Sequence, residues 1–525
     1  MLLIILIIII VCLTFQLLIL KTLKNKTILF KNGNIYTPLI KVESVIIKNN
    51  KIIYVGDLNN HNYKIDQTIN LNNKTMFPGF IDSHTHVLLK SLTNIMTDLS
   101  NDQTNDQLLS KLSLNKETIF YNYEPLFMIN PLNLNLQILN NISLTIPILI
   151  IHKSGHVAYF NSKLLSMIKK TDLDSNFNIE EGKAYEIKAI MILLSIMLKH
   201  LKINYSIIKP LMKNTLMEYA KSGYTTVTDL SLGIPIPKDN YENIKLFKEL
   251  SKNSPVRLQG YVIYPYIKNK IINNDNFKTL GVKLWNDGSL QTFTGSLIKP
   301  YENINGEKNK GKLNYSLEEL NEITKKIPNN LQIAIHANGD QAISNVLNAY
   351  SSLINFPTNN RLRLEHATLT NTDLIEKISQ LNIIPSFTIP HVYYYGDVFE
   401  QILGKERSNF IDAIQSCINK NIIFTLNDDS PLAPINPFQM IKTAITREEK
   451  NGTILNINEG ITLIEAIKAF TINGAISCNR QNEIGSLEVG KKADFVILDK
   501  DPFIINDIMD IKVLETWMNG KQYIH

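Results

Sequence analysis

The sequence predicts an α/β protein: a (β/α)8 barrel with a composite β-sandwich domain from both chain ends, behind an N-terminal membrane helix. Three observations lead there. Short β-rich runs alternate with helix-compatible sequence through the middle of the chain, the pattern of a parallel sheet. Strand-and-turn sequence recurs at the two ends. The first twenty residues are almost wholly apolar. Composition agrees: 525 residues with 44% apolar and 19% charged side chains supply a large core and too little charge for a disordered chain. The 54 Lys plus Arg against 48 Asp plus Glu leave +6, and no block of like charge concentrates that surplus, so nucleic acid is not an expected partner. Cys12, Cys417 and Cys478 stand far apart, which excludes a disulfide framework and a thiolate site. Any metal must use nitrogen and oxygen ligands.

Taken in order, residues 1–20 are interrupted only by Thr14 and Gln16, and as a helix they cover about 30 Å, one bilayer core. The lysines Lys21, Lys24 and Lys26 follow the run, Leu2 follows Met1 directly, and no small-residue cleavage site is present, so a retained single-pass anchor is expected rather than a cleaved leader. Lysines on that flank place the barrel on the cytosolic side of a membrane such as the endoplasmic reticulum. Residues 27–76 then read as strands, Ile28–Phe30, Ser44–Ile47 and Lys51–Val55, separated by Asn- and Gly-containing turns. Residues 484–525 read the same way, and the two ends are expected to form one domain. Between them, residues 77–483 carry eight β-rich runs: Phe77–Asp82, Ile146–Ile151, Thr225–Asp229, Val282–Trp285, Gln332–Ile335, Arg363–Glu365, Ile383–Pro385 and Ile422–Leu426. A barrel of this kind places its active site at the C-terminal ends of the strands.

Those ends carry chemistry. His84-Thr85-His86 closes the first run, and residues two apart on a strand share a face. His336 and His366 close the runs at Gln332 and Arg363, and Asp428-Asp429 closes the last. Four of the ten histidines thus fall at expected strand tips together with a carboxylate, the donor set a divalent cation requires. Of the other six, His61, His152, His200, His391 and His525 read as ordinary histidines, and Lys491 and Lys492 as solvated charge on a turn.

At this point the chain resembles the amidohydrolase superfamily, and within it the YtcJ-like metal-dependent hydrolases of the amidohydrolase family 3 group. The resemblance runs from about Thr27 to the C-terminus on Pro78-Gly-Phe-Ile-Asp82-Ser-His84-Thr-His86, Gly155-His156-Val-Ala-Tyr-Phe-Asn161-Ser162, Gly281-Val-Lys283-Leu-Trp-Asn-Asp287-Gly288, His336-Ala-Asn-Gly339-Asp340, Glu365-His366-Ala367 and Ile484-Gly485-Ser-Leu-Glu-Val-Gly490-Lys-Lys-Ala493-Asp494. It implies one or two divalent ions per chain, zinc foremost: His84, His86 and Asp429 holding one, His336 and His366 a second, and Lys283 bridging them as a carbamate. It also implies that Asp429 is the catalytic base that orients a metal-activated water, takes its proton and passes it to the leaving nitrogen. His156, Asn161 and Glu186 would lie on the substrate side.

Two departures stand out. The resemblance selects Asp429 through the following Ser430-Pro431, which leaves Asp428 where a serine is usual. That second carboxylate is expected either to raise the pKa of Asp429 or to face outward. The segment Tyr121-Asn122-Tyr123-Glu124 also lacks an arginine that could meet a substrate carboxylate. The implied reaction is hydrolysis of an amide, formamide or cyclic amide C–N bond in a small molecule. A metal-dependent deaminase and a catalytically silent membrane-tethered scaffold are the alternatives. Expected partners are the small substrate, the membrane and further copies of the chain in a homo-oligomer.

Overall fold

The computed structural model describes residues 26–524 apart from 39, 115–116, 235–239, 267–271, 275, 303–307 and 354–361. The expected membrane helix lies outside the described residues; among those described, no helix is long and apolar enough to cross a membrane. Eight strands in chain order build the barrel: Phe80–Thr85, Tyr224–Leu232, Arg257–Ile263, Phe277–Trp285, Gln332–Ala337, Arg363–His366, Ile384–Thr388 and Thr425–Asn427. Every ladder between neighbours is parallel, and the strands are buried along almost their whole length, as sheets covered by helices must be. The last and first strands form no ladder among the described residues. Ser83 Oγ donates to Thr425 Oγ1 at 2.9 Å across that seam, and His86 N donates to Ser430 O at 3.0 Å just above it. The barrel is therefore nearly closed, and its seam lies beside the histidine pair.

One expected barrel strand is corrected. The run Ile146–Ile151 does not enter the barrel: Leu149–His152 belongs to a six-stranded sheet inserted between the first two barrel strands, with Thr97–Asp98, Ile119–Tyr123, Val157–Phe160, Phe177–Asn178 and Lys183–Tyr185. The third barrel strand is Arg257–Ile263 instead. An apolar run reads as a buried strand in either sheet, whereas Arg257, Gln259 and Gly260 disguise the true one. In the fold each of these three has a structural use. Arg257 pairs with Asp494 at 2.5 Å and so ties the barrel to the end domain. Gln259 donates to Thr228 Oγ1 at 3.1 Å. Any side chain at Gly260 would meet the Asp229 carbonyl at 2.2 Å.

The run expected at Phe77–Asp82 is likewise two strands. Thr75–Pro78 pairs antiparallel with Phe495–Leu498 in the end domain, and the barrel begins at Phe80. Gly79 forms the pivot, where a Cβ would stand 2.2 Å from the Thr225 side chain.

The two chain ends do share one sheet, ordered Lys521–Ile524, Val513–Met518, Phe495–Leu498, Thr75–Pro78, Thr27–Tyr36, Lys41–Lys48 and Lys51–Gly56, with Gln67–Asn70 also paired to Thr27–Tyr36. Its core centres on Phe30, Phe495 and Trp517, whose ring centroids lie 5.0–5.3 Å apart. Lys491 and Lys492 are buried in this domain rather than solvated: the turn folds under the sheet, and Lys491 Nζ donates to Ser486 Oγ and to Glu488 Oε1 at 2.5 and 3.1 Å. The inserted sheet keeps a separate core around Leu108, Phe120, Leu139 and Ile150. From it the helix Glu186–His200 returns the chain to the barrel.

Candidate metal centre

The first barrel strand presents His84 at its tip, and His86 stands at the start of the helix Val87–Thr93. Asp429 follows the last strand with φ +48°, a left-handed conformation that a non-glycine residue adopts only where surrounding structure fixes it. Across the barrel seam, Asp429 Oδ1 lies 3.6 Å from His84 Nε2 and 3.3 Å from His86 Nε2. Ligand atoms of the three side chains all fall within 4.8 Å of one another, close enough to hold one ion. His84 Nε2 and Asp429 Oδ1 are buried and have no hydrogen-bond partner. Orphaned lone pairs converging on one point are costly in a protein interior and are what a cation satisfies.

The proton on each buried imidazole is pinned away from that point. His84 Nδ1 donates to Glu365 Oε2 at 2.6 Å, which leaves Nε2 bare. Glu365 is in turn gripped by Arg363, at 2.7 Å through Nε and 2.9 Å through Nη2. Burial alone would raise Glu365, but Arg363 and His84 hold its carboxyl well below the usual range, so it is charged. His366 Nδ1 lies 2.7 Å from Thr388 Oγ1. That hydroxyl already donates to Asn427 Oδ1, so it accepts from His366 and leaves His366 Nε2 bare. His336 Nε2 donates to Gly288 O at 2.9 Å, leaving its Nδ1 unprotonated. Burial, and then neighbouring positive groups, lower all three pKa values, His84 to about 4. At neutral pH these are neutral imidazoles with one free lone pair each, the ligand form.

The rings of His336 and His366 lie 4.4 Å apart, and His366 lies 4.8 Å from His84. They share the cavity with Asp429 but are not in the three-residue cluster. Lys283, on the fourth strand, is fully buried and its Nζ has no hydrogen-bond partner. Burial pulls its pKa to about 8 against the raising influence of Glu365 and Asp429. Asp429 itself is held low: burial would raise it, and the neighbouring His84, His86 and Lys283 outweigh burial.

Asp428 follows neither of its two expected courses. It is completely buried beneath the site, accepts from Ser430 N at 3.1 Å and faces Asp82. Burial is the main cause that raises both carboxyls, with the charge of Asp428 adding to it at Asp82 and the charge of Asp429 adding to it at Asp428.

The cavity above these groups measures about 130 Å³ and is lined by His86, His336, His366 and Asp429 together with His156 and Trp285. His156 Nδ1 lies 3.0 Å from Glu186 Oε2, and its ring is 5.0 Å from His336. Burial opposes charge on His156, but Glu186 prevails and raises its pKa. Glu186 thus sits behind His156 and does not line the cavity itself. Asn161 is placed elsewhere: its amide donates to Ser143 O and Ile146 O at 2.7 and 2.8 Å, and its oxygen accepts from Ile148 N and Leu164 N at 3.0 and 3.1 Å. All its hydrogen-bonding capacity is spent on backbone, and it caps the short helix Ser162–Leu165.

Two functional positions escaped the sequence reading. Glu365 was legible only as the neighbour of His366, although Arg363-x-Glu365 puts opposite charges two residues apart on one strand face. His152, read as ordinary, lines the cavity and pairs with Glu124 Oε1 at 3.3 Å. Glu124 also accepts from Tyr395 Oη at 2.8 Å. These three come from separate segments, and no local spacing announces them.

Comparison with known proteins agrees with this architecture. Over 407 residues the chain is 28% identical to Protein LONG AFTER FAR-RED 3 of Arabidopsis thaliana, covering 72% of this chain and 68% of that one. Over 211 residues it is 29% identical to an N-substituted formamide deformylase of Arthrobacter pascens, 39% of each chain. The fold matches an uncharacterized metal-dependent hydrolase from Pyrococcus horikoshii with TM-score 0.74, at 23% identity, over 92% of this chain and 99% of that one. The sequence profile of the amidohydrolase family matches residues 67–524, and with the barrel, the composite end domain and the convergent His84, His86 and Asp429 it establishes that the chain belongs to that family.

Proposed function

We propose that this protein is a metal-dependent hydrolase of a C–N bond in a small amide, formamide or cyclic amide. The observation that carries this reading is the convergence of His84 Nε2, His86 and Asp429 Oδ1, with their lone pairs unspent, at the floor of a cavity. The donor set is nitrogen and oxygen only, which suits zinc or a similar divalent ion. Bound there, such an ion supplies a water acidic enough to attack at neutral pH and a positive charge that polarises a carbonyl.

The protein's own groups do the rest. Asp429, ionised and 3.3 Å from His86, is placed to take a proton from the attacking water and return it to the leaving nitrogen. Glu365 fixes the tautomer of His84, and Arg363 fixes Glu365. His336 and His366 add neutral imidazole donors on the far side of the cavity for a second ion. Lys283, drawn toward its neutral amine, is the form that adds carbon dioxide, losing one proton to give an anionic carbamate ligand. His156, held by Glu186, offers a protonated nitrogen to a substrate oxygen. The name of the Arthrobacter pascens relative, which acts on N-substituted formamides, supports formamides as the first substrates to try. A single-pass anchor in residues 1–20, with the hydrolase facing the cytosol, belongs to the same proposal.

The test is a screen of N-formyl, N-acyl and cyclic amides with zinc-loaded protein, measuring amine and carboxylate release together. Carboxylate and amine in equal amounts support the reading. Ammonia released without a carboxylate would make the protein a deaminase, and full metal loading with no turnover of any C–N substrate would reject hydrolysis.

A further inference from the structure

Lys153 follows directly on the strand Leu149–His152 of the inserted sheet, and its backbone N donates to Tyr123 O at 2.9 Å. Its side chain borders two spaces at once: the metal-side cavity and an adjoining cavity of about 400 Å³. The ammonium lies 3.8 Å from the centre of the Tyr394 ring, with Phe127 at 5.3 Å and Tyr395 at 5.9 Å. Among the described residues it makes no ion pair within 4.0 Å and no hydrogen bond.

Two carboxylates, Glu124 and Asp98, act on it from beyond ion-pair distance, and they and their neighbours are engaged elsewhere: Asp98 accepts from Ser100 N at 2.9 Å and from Asn122 Nδ2 at 3.1 Å. Glu124 holds His152 and Tyr395, Asp102 holds Lys111 at 2.6 Å, and Glu449 accepts from Asp397 N at 2.8 Å. Lys450 borders the same side cavity and adds positive charge. A half-buried ammonium against ring faces is only partly compensated for lost water, because the rings offer a quadrupole and no counter-charge. No described carboxylate pairs with it directly, and a ligand in the adjoining cavities would bring one that does.

We infer that Lys153 anchors an acidic group of the substrate, so that the amide hydrolysed at the metal centre carries a carboxylate at its other end. This rests on the hydrolase reading and names its substrate class. A hydrogen-bonded, charge-assisted contact of this kind favours the acid over its uncharged ester by about tenfold to a hundredfold.

Two measurements test it. In the first, N-formyl ω-amino acids of two to six carbons, each beside its methyl ester, are turned over by zinc-loaded wild type, Lys153→Met, Lys153→Gln and Lys153→Arg. The expected result is an acid-over-ester preference in kcat/KM of at least tenfold at one chain length, expressed in KM. It collapses in the Met and Gln variants and is largely kept in Arg. In the second, hexanoate binding to metal-free protein is followed by calorimetry, where Lys153→Met and Lys153→Gln are expected to weaken binding at least tenfold. Circular dichroism identifies a variant that fails to fold, and the Arg variant then carries the comparison. Turnover without acid preference, or hexanoate binding equal in wild type and Lys153→Gln, would overturn the assignment while leaving the hydrolase reading in place. Lys153-dependent hexanoate binding with no turnover of any amide would support the anion site and reject hydrolysis.

Discussion

Glu365→Gln isolates the group that orients the metal site. In the native structure Glu365 Oε2 accepts from both His84 Nδ1 at 2.6 Å and Arg363 Nη2 at 2.9 Å, while Oε1 accepts from Arg363 Nε at 2.7 Å. A glutamine keeps one acceptor oxygen and turns the other position into a donor, so Arg363 faces an NH₂ group in either orientation and His84 faces it in one of the two. All three side chains are fully buried. Arg363 keeps Ser83 O at 2.9 Å as an acceptor but loses its counter-charge, and breaking a buried pair in this way costs about 3–5 kcal/mol of stability. Loss of the carboxylate behind a metal-ligating histidine weakens metal binding about 10–100-fold, which is about 1.4–2.7 kcal/mol. The double variant Arg363→Met/Glu365→Met removes both charges, so most of the stability returns while His84 still lacks its partner. Chelator competition for zinc and thermal melts of the metal-free proteins read the two effects separately. Wild-type zinc affinity in Glu365→Gln, or zinc affinity restored in the double variant, would show that Glu365 does not prepare His84 for the metal.

Asp429→Asn retains an oxygen ligand but no base: zinc remains bound and kcat falls about 10²–10⁴-fold, and undiminished turnover by that variant would remove Asp429 from the chemistry. Asn161→Ala leaves four backbone groups without their partner; it is expected to lower stability by about 2–4 kcal/mol with KM unchanged, whereas a raised KM at unchanged melting temperature would make Asn161 a substrate contact. Glu483 titrates at about 2 in the fold, because Lys278 and Arg480 outweigh the upward pull of burial. Its folded pKa is depressed, so its stabilising effect is present above the ordinary value of 4.5 and is lost as pH falls toward 2. Glu483→Gln should therefore flatten the acid limb of the stability profile between those values, and an unchanged acid limb would show that the pair has no linkage to folding.

The barrel was legible because buried parallel strands read as short apolar runs, and six of the eight inferred runs lie close to observed barrel strands without being divided. The two failures have physical causes. Arg257–Ile263 hides behind Arg257, Gln259 and Gly260, which serve the domain interface and strand crowding. Phe77–Asp82 conceals a change of sheet at Gly79. His84, His86 and Asp429 were readable because strand ends deliver side chains to one rim. Glu365, His152 and Glu124 were not, because their roles depend on contacts between segments far apart in sequence: Glu365 lies 281 positions from His84. Asp428 shows the limit of residue type alone, since its direction is set by burial beside Asp82 and by the Ser430 backbone.

Anomalous scattering from crystals of the zinc-loaded protein locates the ion relative to His84, His86 and Asp429. The expected result is a peak at about 2.0–2.2 Å from a nitrogen of His84, a nitrogen of His86 and an oxygen of Asp429, with His84 still bonded to Glu365. A peak held by other residues, or a fully folded protein in saturating zinc with no density between these three side chains, would contradict it.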